Sequence, residues 1–195
     1  MKDTLRQLYN QYSDVILFIV CLFAANYLWK FTVSGDETIG DVYWLGLDIT
    51  APFAFLAEHT AAVSAAVLEW LRGEAVHYFP PYTIRFSSGF GVRIVWSCTP
   101  IKQGFIWLVI MLFAHGSWKK KLWFIPLGWA FIQLFNIMRI IVISLLCEHH
   151  SEMFSFWHEY IFKYIFYGMI FLLWVWWTEC ISKTREGRTM PETHS

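Results

Sequence analysis

Apolar runs about as long as a bilayer is thick recur along this chain, and they restrict what it can fold into. A hydrocarbon core of about 30 Å takes roughly 20 residues of helix to cross. Runs of that order occupy 14–33, 94–115, 122–146 and 156–177. Inside lipid every backbone N–H and C=O must be satisfied within the protein, so spanning segments are helices or closed barrels. The expectation is therefore an all-α integral membrane protein. Residues 1–195 would form a single polytopic domain with a bundle of about four to five transmembrane helices. Many of the 12 tryptophans and 9 tyrosines fall near the ends of the runs, as interfacial belts require. No small-residue cleavage pattern follows the first run, which reads as a retained helix rather than a signal peptide. With 15 basic and 15 acidic side chains the net charge is near zero, and nothing points to nucleic acid as a partner.

The segment 49–71 is ambiguous. It is long enough to cross, but Glu58, His59, Thr60, Ser64 and Glu69 interrupt it, so a re-entrant or interfacial helix at the outer face competes with an additional span. Charge decides between them. Without that crossing, eight basic residues (Lys2, Arg6, Lys119–Lys121, Lys183, Arg185, Arg188) share one side and five (Lys30, Arg72, Arg85, Arg93, Lys102) the other; with it, the tally is six against seven. The positive-inside rule thus favours four crossings with both termini cytoplasmic, including the tail 178–195. Residues 72–97 are the least membrane-like part. Tyr82–Phe86 and Val92–Trp96, separated by Ser87-Ser88-Gly89-Phe90-Gly91, read as a small extracytoplasmic β-hairpin.

The hairpin runs into Trp96-Ser97-Cys98-Thr99-Pro100-Ile101-Lys102-Gln103-Gly104. Thr99 is expected as a helix N-cap and Pro100 as the first helical residue, where a missing N–H costs nothing. Cys98 would then stand just outside the positive end of a helix, with Lys102 one turn on; both favour a thiolate. Taken alone, such a cysteine is more often a small apolar filler. Further along, Gln133, Asn136 and Arg139 recur every third residue and make a polar stripe that should face the bundle. An arginine at membrane depth is a functional hypothesis by default, although pairing with Glu148 or Glu58 would also account for it. His158 opens the last run. The four-crossing topology brings Cys98, Arg139 and His158 toward the same outer face.

From about Trp96 to Gly168 the chain resembles the exosortase/archaeosortase family of membrane-embedded cysteine transpeptidases. The resemblance rests on a cysteine followed by Thr at the head of a helix, on Asn136-Ile137-Met138-Arg139 within a helix, and on Phe156-Trp157-His158 running on to Gly168. It implies a catalytic triad of Cys98, Arg139 and His158, with Lys102, Asn136 and Gln133 beside the substrate, and asks for no cofactor or metal. The family usually has Gly two residues after the cysteine, where this chain has Pro100. The implied activity is cleavage of a C-terminal sorting signal on exported proteins, a short motif followed by a transmembrane helix and a basic tail. Transfer to a surface acceptor would follow, at the outer face of the cytoplasmic membrane and among its lipids. A non-enzymatic membrane scaffold or assembly protein is the main alternative. A haem protein would need histidines facing one another at similar depth, whereas His59, His77, His115, His149, His150 and His158 sit in loops or near helix ends. A zinc site from Cys147, His149, His150 and His158 competes with a solvated loop.

Overall fold

The computed structural model describes residues 2–35, 40–73, 75–148, 152, 154 and 156–182. The chain is mostly helical. Helix α1 (Lys2–Thr32) leads into a small antiparallel sheet of β1 (Val33–Gly35), β2 (Val42–Trp44) and β3 (Leu47–Asp48). Helix α2 (Thr50–Arg72) follows, then a second antiparallel sheet of β4 (Val76–Phe79), β5 (Thr83–Phe86) and β6 (Gly91–Arg93). A 3-10 turn at Trp96–Cys98 precedes α3 (Ile101–Phe113) and α4 (Trp118–Cys147); a π-helical turn at Phe156–Ile161 then opens α5 (Phe162–Trp176). Four helical segments are long and apolar enough to cross a membrane: Tyr12–Thr32, Thr50–Arg72, Trp118–Cys147 and Phe162–Ser182. Helix α3, with 13 residues, reaches only about 20 Å at 1.5 Å per residue.

The contacts at the two ends of the bundle fix the course of the chain. At one end His115, in the α3–α4 turn, faces Asp14 of α1 at 3.0 Å, and its carbonyl accepts from Trp177 Nε1 at 2.9 Å. Lys120 donates to the Ile181 carbonyl at the same end. At the other end the Leu45 amide donates to the Thr32 carbonyl closing α1, and the Val42 amide donates to Thr50 Oγ1 at the start of α2. The last residue of α2, Arg72, pairs with Glu148 just past α4. Both ends of α2 therefore lie at the same end of the bundle. Helices α1 and α4 run toward that end, and α3 and α5 run away from it.

The bundle core follows from shape. Phe124 packs against Trp107, Trp176 and Trp177 with ring centroids 5.7, 5.4 and 5.2 Å apart, within the span aromatic pairs prefer. Helices α3 and α4 approach closely because each offers a glycine to the other's indole: Gly104 faces Trp129, and Gly128 faces Trp107. Lys121, inside the first turn of α4, is buried; its ammonium lies 4.6 Å from the centroid of the Trp118 ring and donates to the Leu112 carbonyl at 3.2 Å. The cation thereby satisfies a carbonyl that the end of α3 would otherwise leave open.

Helix α2 has its own core. Phe53, Ala57, Ala61, Ala65 and Leu68 form a buried stripe at helical spacing, set against Ile84 and Phe86 of β5, Trp96, Cys98 and Ile140 of α4. Alanines on that stripe let the backbones approach closely. Asp48 accepts from the Thr50 amide at 2.9 Å and so caps α2 from outside; with the Thr50 hydroxyl bond, this holds the Asp48 carboxyl below its ordinary range.

Several expectations are refined. The hairpin is present as β5 and β6, but it carries a third strand, β4, and Trp96 belongs to the 3-10 turn. The other sheet lies between the first apolar run and 49–71, where no strand was expected. The run 94–115 is not one helix: Ile94 donates to the Tyr82 carbonyl as an extension of the sheet, and α3 begins only at Ile101. Thr99 is not the cap of α3. It has extended backbone, and its hydroxyl turns back to the Trp96 carbonyl at 2.7 Å, so Pro100 takes the N-cap position.

Candidate active site

Cys98 closes the 3-10 turn and is 5% exposed. The turn is locked from several directions. Its amides donate backwards, Cys98 to Val95 at 2.9 Å and Thr99 to Trp96 at 3.0 Å. The Trp96 indole donates to the Gly40 carbonyl and its ring meets Tyr82 edge-on at 5.1 Å. Asn136 of α4 donates from Nδ2 to the Cys98 carbonyl at 2.8 Å. One turn further along α4, Arg139 is in side-chain hydrogen-bonding contact with Cys98. Residues three apart on a helix share a face, so one stripe of α4 holds the cysteine's backbone and meets its thiol. Counted along α4 at 1.5 Å per residue, Asn136 lies about 16 Å short of the helix end at Cys147. Cys98 is therefore sunk within the bundle rather than perched on its rim.

The carboxylates offered by the sequence as partners for Arg139 are engaged elsewhere. Glu148 takes Arg72 and also accepts from Ser88 Oγ at 2.7 Å, while Glu58 accepts from Tyr78 Oη at 3.5 Å. Arg139 instead lines a cavity of about 830 Å³. Ser97 and Thr99, on either side of Cys98, line the same cavity, as do Lys102 and Gln103 from the first turn of α3. Its other walls come from α1 (Asn26, Trp29, Lys30), the first sheet (Ser34, Gly35, Val42), Phe53 of α2 and α5 (Lys163, Tyr164, Tyr167).

The structure thus brings together Cys98, Arg139, Asn136 and Lys102. It does not bring Gln133 to the cavity: that side chain donates to Thr60 Oγ1 at 3.2 Å and ties α4 to α2. His158 falls within the π-helical turn before α5, and its side chain lies outside the described residues, as do His149 and His150. Among the described residues no group of three or more His, Cys, Asp or Glu side chains could hold a metal. Cys98 and Cys147 are not joined by a disulfide and sit in separate clusters, Cys147 packing with Ile143 and Phe162. Sequence reasoning had missed Asn26, Lys30 and Gln103 as cavity residues. The signal for Asn26 was present, since it is an amide inside the first apolar run.

Chemically, the arrangement offers a buried thiol with a fixed cation beside it, and that cation lines a chamber of about 830 Å³. No family model, curated protein or solved structure matches this chain.

Proposed function

We propose that this protein is a multi-pass membrane cysteine peptidase and acyl transferase of the exosortase kind, acting on exported proteins that end in a sorting signal. In this reading α1, α3, α4 and α5 cross the bilayer, with the lysine-rich α3–α4 turn on the cytoplasmic side. Helix α2 enters and leaves on the outer side, together with both sheets. The contact between Cys98 and Arg139, the latter lining the cavity, carries the proposal.

The Cys98 thiolate attacks the carbonyl carbon of the scissile peptide, the C–N bond breaks, and the amine leaves with a proton supplied by His158 acting as general acid. The acyl group remains on sulfur as a thioester until an acceptor nucleophile displaces the thiolate. Arg139 stabilises negative charge, first on sulfur and then on the oxygen of the tetrahedral intermediate, in a site where a fixed cation acts with little screening. Asn136 fixes the backbone that aims the thiol. The test is expression with a secreted substrate bearing a C-terminal motif, apolar helix and basic tail. Cys98→Ala leaves an inserted protein and full-length substrate accumulates; processing by that variant at the wild-type rate overturns the proposal in favour of a scaffold.

A further inference from the structure

We infer that the tip of the β2–β3 hairpin is a bilayer-docking surface, seated in the interfacial layer of the leaflet that the end of α1 reaches. The hairpin points back toward the membrane. Strand β1 leaves the end of α1 and β2 returns antiparallel to it, Gly35 pairing with Val42 and Val33 with Trp44. The next residue, Leu45, is thereby level with the last turn of α1, where its amide donates to the Thr32 carbonyl at 3.0 Å. That turn closes the segment Tyr12–Thr32, which is long and apolar enough to cross a bilayer. An exposed apolar stripe climbs α1 through Ile16, Val20, Phe23 and Tyr27 to Phe31, one residue short of that contact. Lys30, beside Phe31, is exposed and belongs to the residue types that reach up to headgroup level. The tip therefore adjoins the lipid-facing side of the helix at the height where the bilayer ends.

The chemistry of the tip names its partner. Trp44 pairs with Leu47 across the hairpin, so these side chains share one face, and the loop between them is only Leu45-Gly46. Both loop residues have positive φ, 50° at Leu45 and 85° at Gly46, a turn for which Asn-Gly is the usual sequence. A leucine there is strained by its Cβ, and at 71% exposed it gains little packing to offset the strain. Leu47 is 65% and Trp44 43% exposed, so the three make one contiguous apolar patch rather than scattered single residues. A turn facing water is served better by asparagine; a leucine suits one surrounded by acyl chains. Trp44, with the exposed Tyr43 on the other face, suits the boundary just above them. From Asp41 to Asp48 the chain holds no basic residue, so the partner is the apolar layer of a neutral bilayer rather than an anionic headgroup. The same sheet serves the cavity: Ser34, Gly35 and Val42 line it, and the Gly40 carbonyl accepts from the Trp96 indole. Seating the tip thus sets the height of the Cys98 turn against the membrane surface. The inference goes beyond the acyl-transfer reading and needs only that α1 crosses.

The experiment uses the full chain with Cys180→Ser, which removes the exposed native cysteine, and Leu45→Cys carrying a polarity-sensitive nitrobenzoxadiazole label. Cys21, Cys98 and Cys147 are buried, and the Cys180→Ser parent sets any background from them. In phosphatidylcholine nanodiscs the emission should be blue-shifted. Nitroxides near the top of the lipid acyl chain should quench it at least about 3-fold more than aqueous iodide does, as for a group about 5–10 Å into the headgroup boundary. Added phosphatidylglycerol should change neither reading. The same label at Ser88, on the β5–β6 turn held by Glu148, should respond to iodide alone. Leu47→Cys repeats the measurement should the Leu45 variant fail to fold. Leu45→Asn, added to labelled Leu47→Cys, supplies the turn residue that water favours and should raise quenching by iodide. Emission and iodide quenching equal to those of the Ser88 label would put the tip in water and overturn the proposal. Shielding from both quenchers overturns it too, a disulfide-linked dimer of Leu45→Cys then identifying a second copy as the cover. Lipid quenching that appears only with phosphatidylglycerol would replace the apolar layer by an anionic headgroup and equally overturn it. A seated tip with failed processing sinks the peptidase reading alone; processing with the tip in water sinks this one alone.

Discussion

Asn136 Nδ2 donates to the carbonyl of Cys98 at 2.8 Å, across from one helix to the turn that opens another. Both groups are buried, so this bond fixes the height and direction of the thiol rather than adding a surface contact. Arg139 reaches the sulfur from the same face of α4, which makes one helix the ruler against which the thiol is set.

Asn136→Ala removes the donor and leaves a buried carbonyl open, at a cost of about 1–3 kcal/mol. The expected outcome is an inserted protein that processes substrate about 10-fold or more slowly. Alkylation of Cys98 by a small iodoacetamide should change as well, since the turn is no longer held. Unchanged processing would show that the Cys98 carbonyl needs no support from α4.

The reading in which α2 stays on the outer side predicts a labelling pattern. A cysteine at Ser88, on the β5–β6 turn that touches Glu148, should react with an impermeant reagent from outside intact cells. One at Ser117, in the α3–α4 turn beside the Asp14 end of α1, should react only after permeabilisation. Outside labelling of Ser117 would reverse the chain and place Cys98 on the wrong face for exported substrates.

The bundle was legible wherever lipid imposes its rule. The apolar runs foretold α1, α4 and α5, and the spacing of Gln133, Asn136 and Arg139 foretold a polar stripe turned inward, where Asn136 and Arg139 are 1% and 6% exposed. What escaped was local. The strands of the first sheet are two or three residues long, too short for any alternation to register against a glycine- and acid-rich background. The start of α3 was misplaced because β-branched residues before Trp96 satisfy a membrane run and a strand equally well. Only the pairing of β6 with β5 decides between them. The cavity was legible least: residues of α1, the first sheet, α2, α3, α4 and α5 all line it, and sequence spacing within one helix says nothing about distance to another.

Glu148 offers a test of how firmly the outer cap is fastened. Its carboxylate is 2% exposed and holds both Arg72 and Ser88, joining the end of α2 and the second sheet to α4. Removing one partner of a buried pair leaves an uncompensated charge, worth about 3 kcal/mol. Arg72→Ala should therefore lower the melting temperature of the purified protein more than Ser88→Ala does. The double change Arg72→Ala with Glu148→Gln should recover part of the loss. Equal melting temperatures for Arg72→Ala and the wild type would show the pair to be incidental.

The paired glycines at the α3–α4 crossing are not equivalent. A methyl group at Gly128 would meet Trp107, which is fully buried and donates its indole N–H to the Ile125 carbonyl, so nothing there can move aside. A methyl group at Gly104 would meet Trp129, which is 36% exposed and can swing outward. Gly128→Ala should cost about 1–3 kcal/mol by overpacking, Gly104→Ala less. Thermal unfolding in detergent ranks them; the reverse order would mean that the α3 side of the crossing is the rigid one.

Arg139→Lys separates shape from charge at the site itself. Arginine presents a planar fork that can meet sulfur and a developing oxyanion together, whereas lysine is a compact, strongly hydrated point charge. Arg139 is 6% exposed, so a lysine there would have to shed that hydration or withdraw toward the cavity. If the fork is what stabilises the transition state, the substitution lowers the processing rate by about 10²-fold or more, on the scale of losing one preorganised oxyanion donor. Affinity for a non-cleavable substrate analogue should change far less, since that analogue never develops the oxyanion. Should both fall together, Arg139 holds the substrate in its ground state, and the stabilisation of charge must come from elsewhere in the turn around Cys98.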